Sequence, residues 1–181
     1  LSSSSAASDV YKRQDSSPIG LQEYLVRGAG SIRVQAVSFK GSGKAKPAPG
    51  VLKALNESEA IIIGPSNPIT SIGPILAIKK IKRTLSKRKS KVIAVSPLIG
   101  NSPVSGPAGA LMRALGYEVS PRGVAEVYRE VIGTLLIHPS DGTFRERIEE
   151  LGIRVVLEEL LLPDLRSRIK LASTILRLAG F

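Results

Sequence analysis

Two short apolar runs, each closed by a stiff polar loop, constrain the fold of this chain most. The first is Ala60-Ile61-Ile62-Ile63, ending on Gly64 and Pro65. The second is Val92-Ile93-Ala94-Val95, entered from Lys91 and ending on Ser96 and Pro97. A strand that can be apolar at every position is buried on both faces, as in a parallel sheet. Each run is followed by a helical pattern, over about 71–86 in the first case and 107–115 in the second, with Gly116 in the stop position. Short apolar strands alternating with helices predict βαβ units, a parallel sheet and helices on both of its faces.

The rest of the chain fits the same plan. Leu21 to Val26 reads as a short strand and Ser31 to Phe39 as a half-buried one. Residues 40–49, rich in Gly, Lys and Pro, form a loop, and Gly50 to Glu57 a short helix. Val124 to Val131 reads as helix, Leu135 to Ile137 as strand, Thr143 to Leu151 as helix ending on Gly152, and Ile153 to Leu157 as strand. Pro163 to Leu178 is a long amphipathic helix with Leu165, Ile169, Ala172, Ile175 and Leu176 on one face, a stripe that reads as core or as a dimer surface. Residues 1–14, LSSSSAASDVYKRQ, have no hydrophobic period and no initiating Met. Residues 1–18 are therefore expected to be a non-native or disordered leader.

Composition narrows the chemistry. The 181 residues contain no Cys and one His, which excludes disulfides and Cys- or His-rich metal sites within them. Apolar stretches such as Ala60 to Ile63 and Gly133 to Ile137 fall far short of the roughly 20 residues of a spanning helix. No basic segment followed by an apolar one marks a signal peptide, and a cytoplasmic setting is expected. The net charge of +11 is concentrated in Lys79, Lys80, Lys82, Arg83, Lys87, Arg88, Lys89 and Lys91, with no acid among them. Without an aromatic platform or a nucleic-acid motif, this run reads as a solvated helix end rather than a nucleic-acid site.

The two loops are where chemistry is expected, because ligands of open parallel sheets bind beyond the carboxyl ends of the strands. They run from Gly64 to Pro74 and from Ser96 to Pro107. Gly permits close backbone approach, Pro holds the loop in shape, and Ser, Thr and Asn offer neutral donors. The helices that follow would present free N–H groups to a phosphate. Neither loop matches a Walker A or a GxGxxG motif. One such loop is equally a rigid turn; two in neighbouring units point to a phosphorylated ligand, and composition and periodicity stop there.

The segment IIIGPSNPITSIGPIL, followed by VIAVSPLIGNSPVSGPAGALMRALGYEVSPRGVAEVY, resembles the C-terminal half of the 2-phospho-L-lactate transferase family. LQEYLVR, VSF and APGVLKAL upstream and LGIRVVLEELLL downstream fit the same family, so the resemblance covers about residues 21–181. It implies an α/β, Rossmann-like three-layer sandwich with a mostly parallel sheet and the N-terminal part of the fold missing. Residues 19–181 would be the C-terminal part of a single α/β transferase domain. The implied reaction moves a phospholactate or phosphoenolpyruvate-like group from a guanosine diphosphate donor to 7,8-didemethyl-8-hydroxy-5-deazariboflavin, with release of GMP, in coenzyme F-420 biosynthesis. Mg²⁺ would serve as the Lewis acid.

Residue by residue, the resemblance places Gly64, Ser66, Asn67, Pro68, Thr70, Ser71 and Gly73 on a substrate-facing loop, and Ser96, Pro97, Ser105 and Gly106 on its neighbour. These would act through main-chain N–H groups and hydroxyls, with no catalytic acid or base and no metal ligand among them. The family's Gly-rich first strand-loop-helix and its metal-holding acidic residues would lie upstream, so this chain is expected to be inactive by itself. His138 and Pro139 stand where family members carry an acidic pair, and His138 reads as a loop residue. The pairs Glu149/Glu150 and Glu158/Glu159 are expected to face water. A homodimer is compatible with the last helix; a membrane is not an expected partner. The other reading within the superfamily is a non-catalytic regulator that binds UDP-sugars. Those proteins carry a Gly-Ser-Leu-type loop after the same strand, where this chain has Ser66-Asn67-Pro68.

Overall fold

The fold was analysed in a computed structural model that describes residues 8–12, 18–26, 34–100, 102–103 and 108–181. Its centre is a parallel sheet of four strands: β4 (Ile61–Ile63), β5 (Val92–Val95), β8 (Thr134–Ile137) and β9 (Arg154–Leu157), in that spatial order. Ile62 pairs with Ile93, Ala94 with Leu135 and Leu136 with Val156. All four residues of β5 are buried, as an apolar run between two parallel neighbours requires.

Because the strands follow one another across the sheet in chain order, right-handed crossovers place every connecting helix on the same face. That face carries α4 (Lys79–Lys87), α5 (Ala108–Ala114), α6 (Pro121–Tyr128) and α7 (Arg145–Glu149). Ile81, Leu85, Leu111, Met112, Val124, Tyr128 and Ile148 from these helices meet Val92, Ala94, Leu135, Ile137 and Val155 in the larger core cluster. The opposite face, with Ile93, Val95 and Leu136, is covered by α8 (Leu165–Ala179) through Leu171. The expected α/β arrangement with helices on both faces is present.

An antiparallel sheet precedes this unit. Its strands are β1 (Ser8–Lys12), β2 (Pro18–Gly20) and β3 (Val34–Phe39), in the order β2-β1-β3. The stretch read from sequence as a leader thus contains a strand, paired through Val10 with both Ile19 and Val37. Leu21–Val26, expected as a strand, is instead a helix, α1. It buries Tyr24 completely and leaves Val26 largely exposed, a helical spacing too short to distinguish from strand alternation in six residues. The helix α2 (Val51–Glu57) follows the expected loop.

The helix expected over 71–86 is two helices, α3 (Gly73–Leu76) and α4, separated at Ala77 and an extended Ile78. The break has a packing cause. Ile72 and Leu76 pack against the core, and an uninterrupted helix would next turn Lys79, Lys80 and Arg83 inward. The extended backbone at Ile78 shifts the phase, so that Ile81 and Leu85 are buried and Lys79, Lys80 and Arg83 stay exposed.

The last helix corrects the expected face. Leu171 and Thr174 are buried and Ile175 and Leu178 half-buried, whereas Leu165, Ile169, Ala172 and Leu176 are exposed. Of the stripe read as core, only Ile175 faces the sheet. Leu171→Ala is expected to cost about 2–4 kcal/mol, the usual range for emptying a buried leucine site. Leu176→Ala should change stability by less than about 0.5 kcal/mol, as at an exposed position. Urea unfolding of both variants checks the assignment, and equal losses would contradict it.

Candidate functional site

The carboxyl ends of the four parallel strands carry the expected loops and two features that sequence reasoning missed. Beyond β4, the chain turns tightly at Gly64, whose carbonyl accepts from the Ser66 N–H at 2.8 Å. Asn67 organises the rest. Its side-chain Oδ1 accepts from the N–H groups of Ile69 (2.9 Å) and Thr70 (3.1 Å), and its main-chain carbonyl accepts from Ser71 and Ile72, both at 3.1 Å. Four otherwise free N–H groups thus converge on one residue, which fixes the loop without regular structure. Pro68 and Ile69 are buried beneath it, while Gly64, Pro65 and Ser71 face outward.

Gly73 closes the loop against β3. A Cβ at this position would stand 2.8 Å from the Phe39 ring and 3.3 Å from the Pro68 carbonyl. The absence of a Cβ is what lets the chain pack this closely. Helix α3, which begins here, is a single turn with no side-chain cap.

Beyond β5, Ser96 is 1% exposed, and its Oγ is consumed within its own turn. It donates to the Leu98 carbonyl at 3.0 Å and accepts from the Leu98 N–H at 3.1 Å. Ser96 is therefore a brace for the loop, while Pro97 is half-buried beside it. The chain continues into a small hairpin, β6 (Leu98–Ile99) and β7 (Ser102–Pro103). At its turn Gly100 adopts a left-handed φ of 62°, and its N–H donates to Asp141 Oδ1 at 2.8 Å. Ser105 and Gly106 lie outside the described residues.

Asp141 was not anticipated. It is 2% exposed, comes from the 3-10 turn Pro139–Phe144 after β8, and ties that turn to the β5 loop. Its Oδ2 has no hydrogen-bond partner among the described residues. The only advance signal was an acid immediately after a strand end, which sequence alone does not separate from an exposed one.

The second feature is His138 with Glu159, from the ends of β8 and β9. His138 Nε2 stands 3.1 and 3.2 Å from the two Glu159 carboxylate oxygens. Its Nδ1 accepts from the Ser140 N–H at 3.2 Å and lies 2.7 Å from Ser140 Oγ. The neighbouring acid, Glu158, does not face water as expected: its side chain is 10% exposed and accepts from Thr174 Oγ1 at 2.6 Å, anchoring α8 to β9. Burial works against its ionisation, yet hydrogen bonds from Thr174 and the Glu159 N–H, with the Lys170 ammonium, hold its carboxyl below the ordinary glutamate range. Glu159 is lowered too, first by the Leu161 N–H and then, against the cost of burial, by His138.

Among the described residues no group of three or more His, Asp or Glu side chains is placed to hold a metal ion. No helix among these residues is long and apolar enough to cross a membrane.

Comparison with known proteins places this arrangement. The family model for 2-phospho-L-lactate transferase CofD matches residues 3–169. The chain belongs to the 2-phospho-L-lactate transferase family. The match takes in both loops, Asp141, the His138–Glu159 pair and part of the stretch read as a leader. The 2-phospho-L-lactate transferase of Methanocaldococcus jannaschii is 40% identical over 158 residues, which is 87% of this chain and 49% of the relative. That of Methanococcus maripaludis strain S2 is 43% identical over 154 residues, covering 85% and 48%. The Methanosarcina barkeri protein is 41% identical over 157 residues, covering 87% and 50%. The chain thus spans about half the length of the curated relatives it matches.

Two outcomes follow from the geometry. Asn67→Ala, which strips two N–H groups of their acceptor, is expected to lower stability by about 1 kcal/mol, and Asn67→Asp to keep most of it. Denaturant titration of both variants decides whether the Oδ1 contacts matter. A folded-state pKa below the unfolded one means that Glu158 contributes stability above the ordinary glutamate range of about 4.3, lost as pH falls through the lowered value. Thr174→Val should move Glu158 back towards that range. Carboxyl-carbon NMR titration reads both, and an unmoved Glu158 would refute the anchoring role.

Proposed function

We propose that this chain is the substrate-cradling part of a 2-phospho-L-lactate transferase. The reaction moves a phospholactate group, or its enolpyruvyl counterpart, from a guanosine diphosphate donor to the ribityl hydroxyl of the deazaflavin, releasing GMP. The observation that carries the reading is the Asn67-pinned loop at the end of β4, inside a family match of residues 3–169. With Asn67 holding the turn, the loop meets a ligand in a shape that costs little further entropy to fix. Gly64 and Ser71 are exposed and Ser66 and Thr70 half-buried, so the loop can offer main-chain N–H groups and hydroxyls to a diphosphate. Ser96, Pro97 and Asp141 would hold the neighbouring loop in place as its second wall.

Mg²⁺, in this reading, is held by residues outside this chain, and the chain alone forms no product. The nucleotide is guanosine-linked rather than the UDP-sugar of the regulators in the superfamily, because Ser66-Asn67-Pro68 replaces their Gly-Ser-Leu-type loop. The setting is cytoplasmic.

The test is an assay of GMP and diester formation by the 181-residue chain and by a version extended to the relatives' length, with Mg²⁺, donor and acceptor. Product from the extended chain only is expected, with transfer reduced about tenfold or more by Asn67→Ala. No product from the extended chain, or preferential binding of a uridine diphosphate ligand, would overturn the proposal.

A further inference from the structure

The outward stripe of α8 is unused by the fold and by the proposed reaction. Leu165, Ile169, Ala172 and Leu176 recur at spacings of four, three and four residues along its solvent side. The three large members are 69%, 56% and 53% exposed, against 6% for Leu171 on the sheet side. Surface leucines occur singly on most proteins, but a row at this spacing is the apolar seam of a coiled-coil helix, with Ile169 and Leu176 at a and Leu165 and Ala172 at d. Three turns of helix carry it, and the helix is independently fixed. Asp164 caps it by accepting from the Ser167 N–H at 2.8 Å, and Thr174 ties its middle to Glu158.

The charges beside the seam say what fits it. The residues following the first d position and preceding the first a position are Arg166 and Arg168, both exposed. These are e and g positions, whose charges select the partner in helix pairing. Neither guanidinium has an ion pair or a hydrogen bond among the described residues, whereas their main-chain N–H groups serve the Asp164 cap. Lys170 and Arg177, one step further round, engage Glu158 and Thr174 instead. Helix α8 contains four basic residues and no acidic one.

We propose that α8 is a docking helix, and that its Leu165–Leu176 seam receives an acidic amphipathic helix of another polypeptide, with apolar residues at a and d and Glu or Asp at e and g. Two other occupants fit less well. A second copy packed about this seam would offer Arg166 and Arg168 no counter-charge, because α8 contains no acidic residue. A lipid surface takes a broad apolar face, whereas this stripe is one residue wide at each turn.

Fluorescence anisotropy tests the proposal on the 181-residue chain with two labelled synthetic heptad peptides, identical at a and d, one bearing Glu and the other Lys at e and g. The Glu peptide is expected to bind and the Lys peptide not. Ile169→Asp should weaken binding by about tenfold, equivalent to losing one buried apolar contact. The double exchange Arg166→Glu with Arg168→Glu should reverse the peptide preference, and circular dichroism confirms that each variant keeps its helix. Equal binding of both peptides, or of neither, overturns the proposal. So does concentration-dependent self-association of the chain that is abolished by Ile169→Asp, or association with anionic phosphatidylglycerol vesicles that displaces the Glu peptide. Loss of peptide binding in the chain extended to the relatives' length would mean the seam closes within the longer polypeptide, and would also overturn it.

Discussion

The structure depends on burying β5 on both sides. Its four residues are enclosed, with Val92 and Ala94 in one core cluster and Ile93 and Val95 in the other. A parallel strand can reach that state only if crossover segments return the chain across a face of the sheet. With β4, β5, β8 and β9 taken in chain order, right-handed crossovers all return on the same side. One face is therefore sealed by four helices and the other by α8 alone, leaving Ile62 of the edge strand 45% exposed. The same order sets every strand's carboxyl end on one rim. The loops after β4, β5 and β8 are neighbours for that reason, and the Gly100–Asp141 hydrogen bond can span two of them.

On that rim, two polar side chains that look like ligand donors in the sequence, those of Asn67 and Ser96, shape the loops. Asn67 Oδ1 is occupied by two main-chain N–H groups and the Ser96 hydroxyl by Leu98. Gly73 is a packing glycine against Phe39. Residue type marks the two loops but does not tell which partner each member bonds. A hydroxyl or amide can donate to ligand or to backbone with equal ease, and only the turn geometry decides which it does. Asp141 was invisible for the converse reason: its value lies in a partner 41 positions away, which no local pattern encodes.

Legibility followed the range of the forces involved. The strands β4, β5, β8 and β9 were readable because local apolar runs decide them. The break at Ala77–Ile78 was not, since it depends on which helix face meets the core further along. The last helix makes the same point more sharply. It carries two apolar rows, one through Leu165, Ile169, Ala172 and Leu176 and one through Leu171, Ile175 and Leu178. By hydrophobicity the first is as good a core face as the second. What orients the helix is polar: Thr174 lies in the inward row and bonds Glu158, and Lys170 reaches the same carboxylate. Reversing the helix would strand a carboxylate that is 10% exposed without its donors, at a cost larger than the difference between two leucine rows.

His138 shows how a polar side chain is held at such a rim. Its imidazole is 17% exposed beside the strand ends. Both ring nitrogens are nevertheless used. Nδ1 accepts from the Ser140 N–H, which leaves Nε2 to donate to Glu159. The Nδ1 contact caps the Pro139–Phe144 turn, the turn that carries Asp141 to Gly100. Through that turn, a residue outside the two loops bears directly on the shape of one of them.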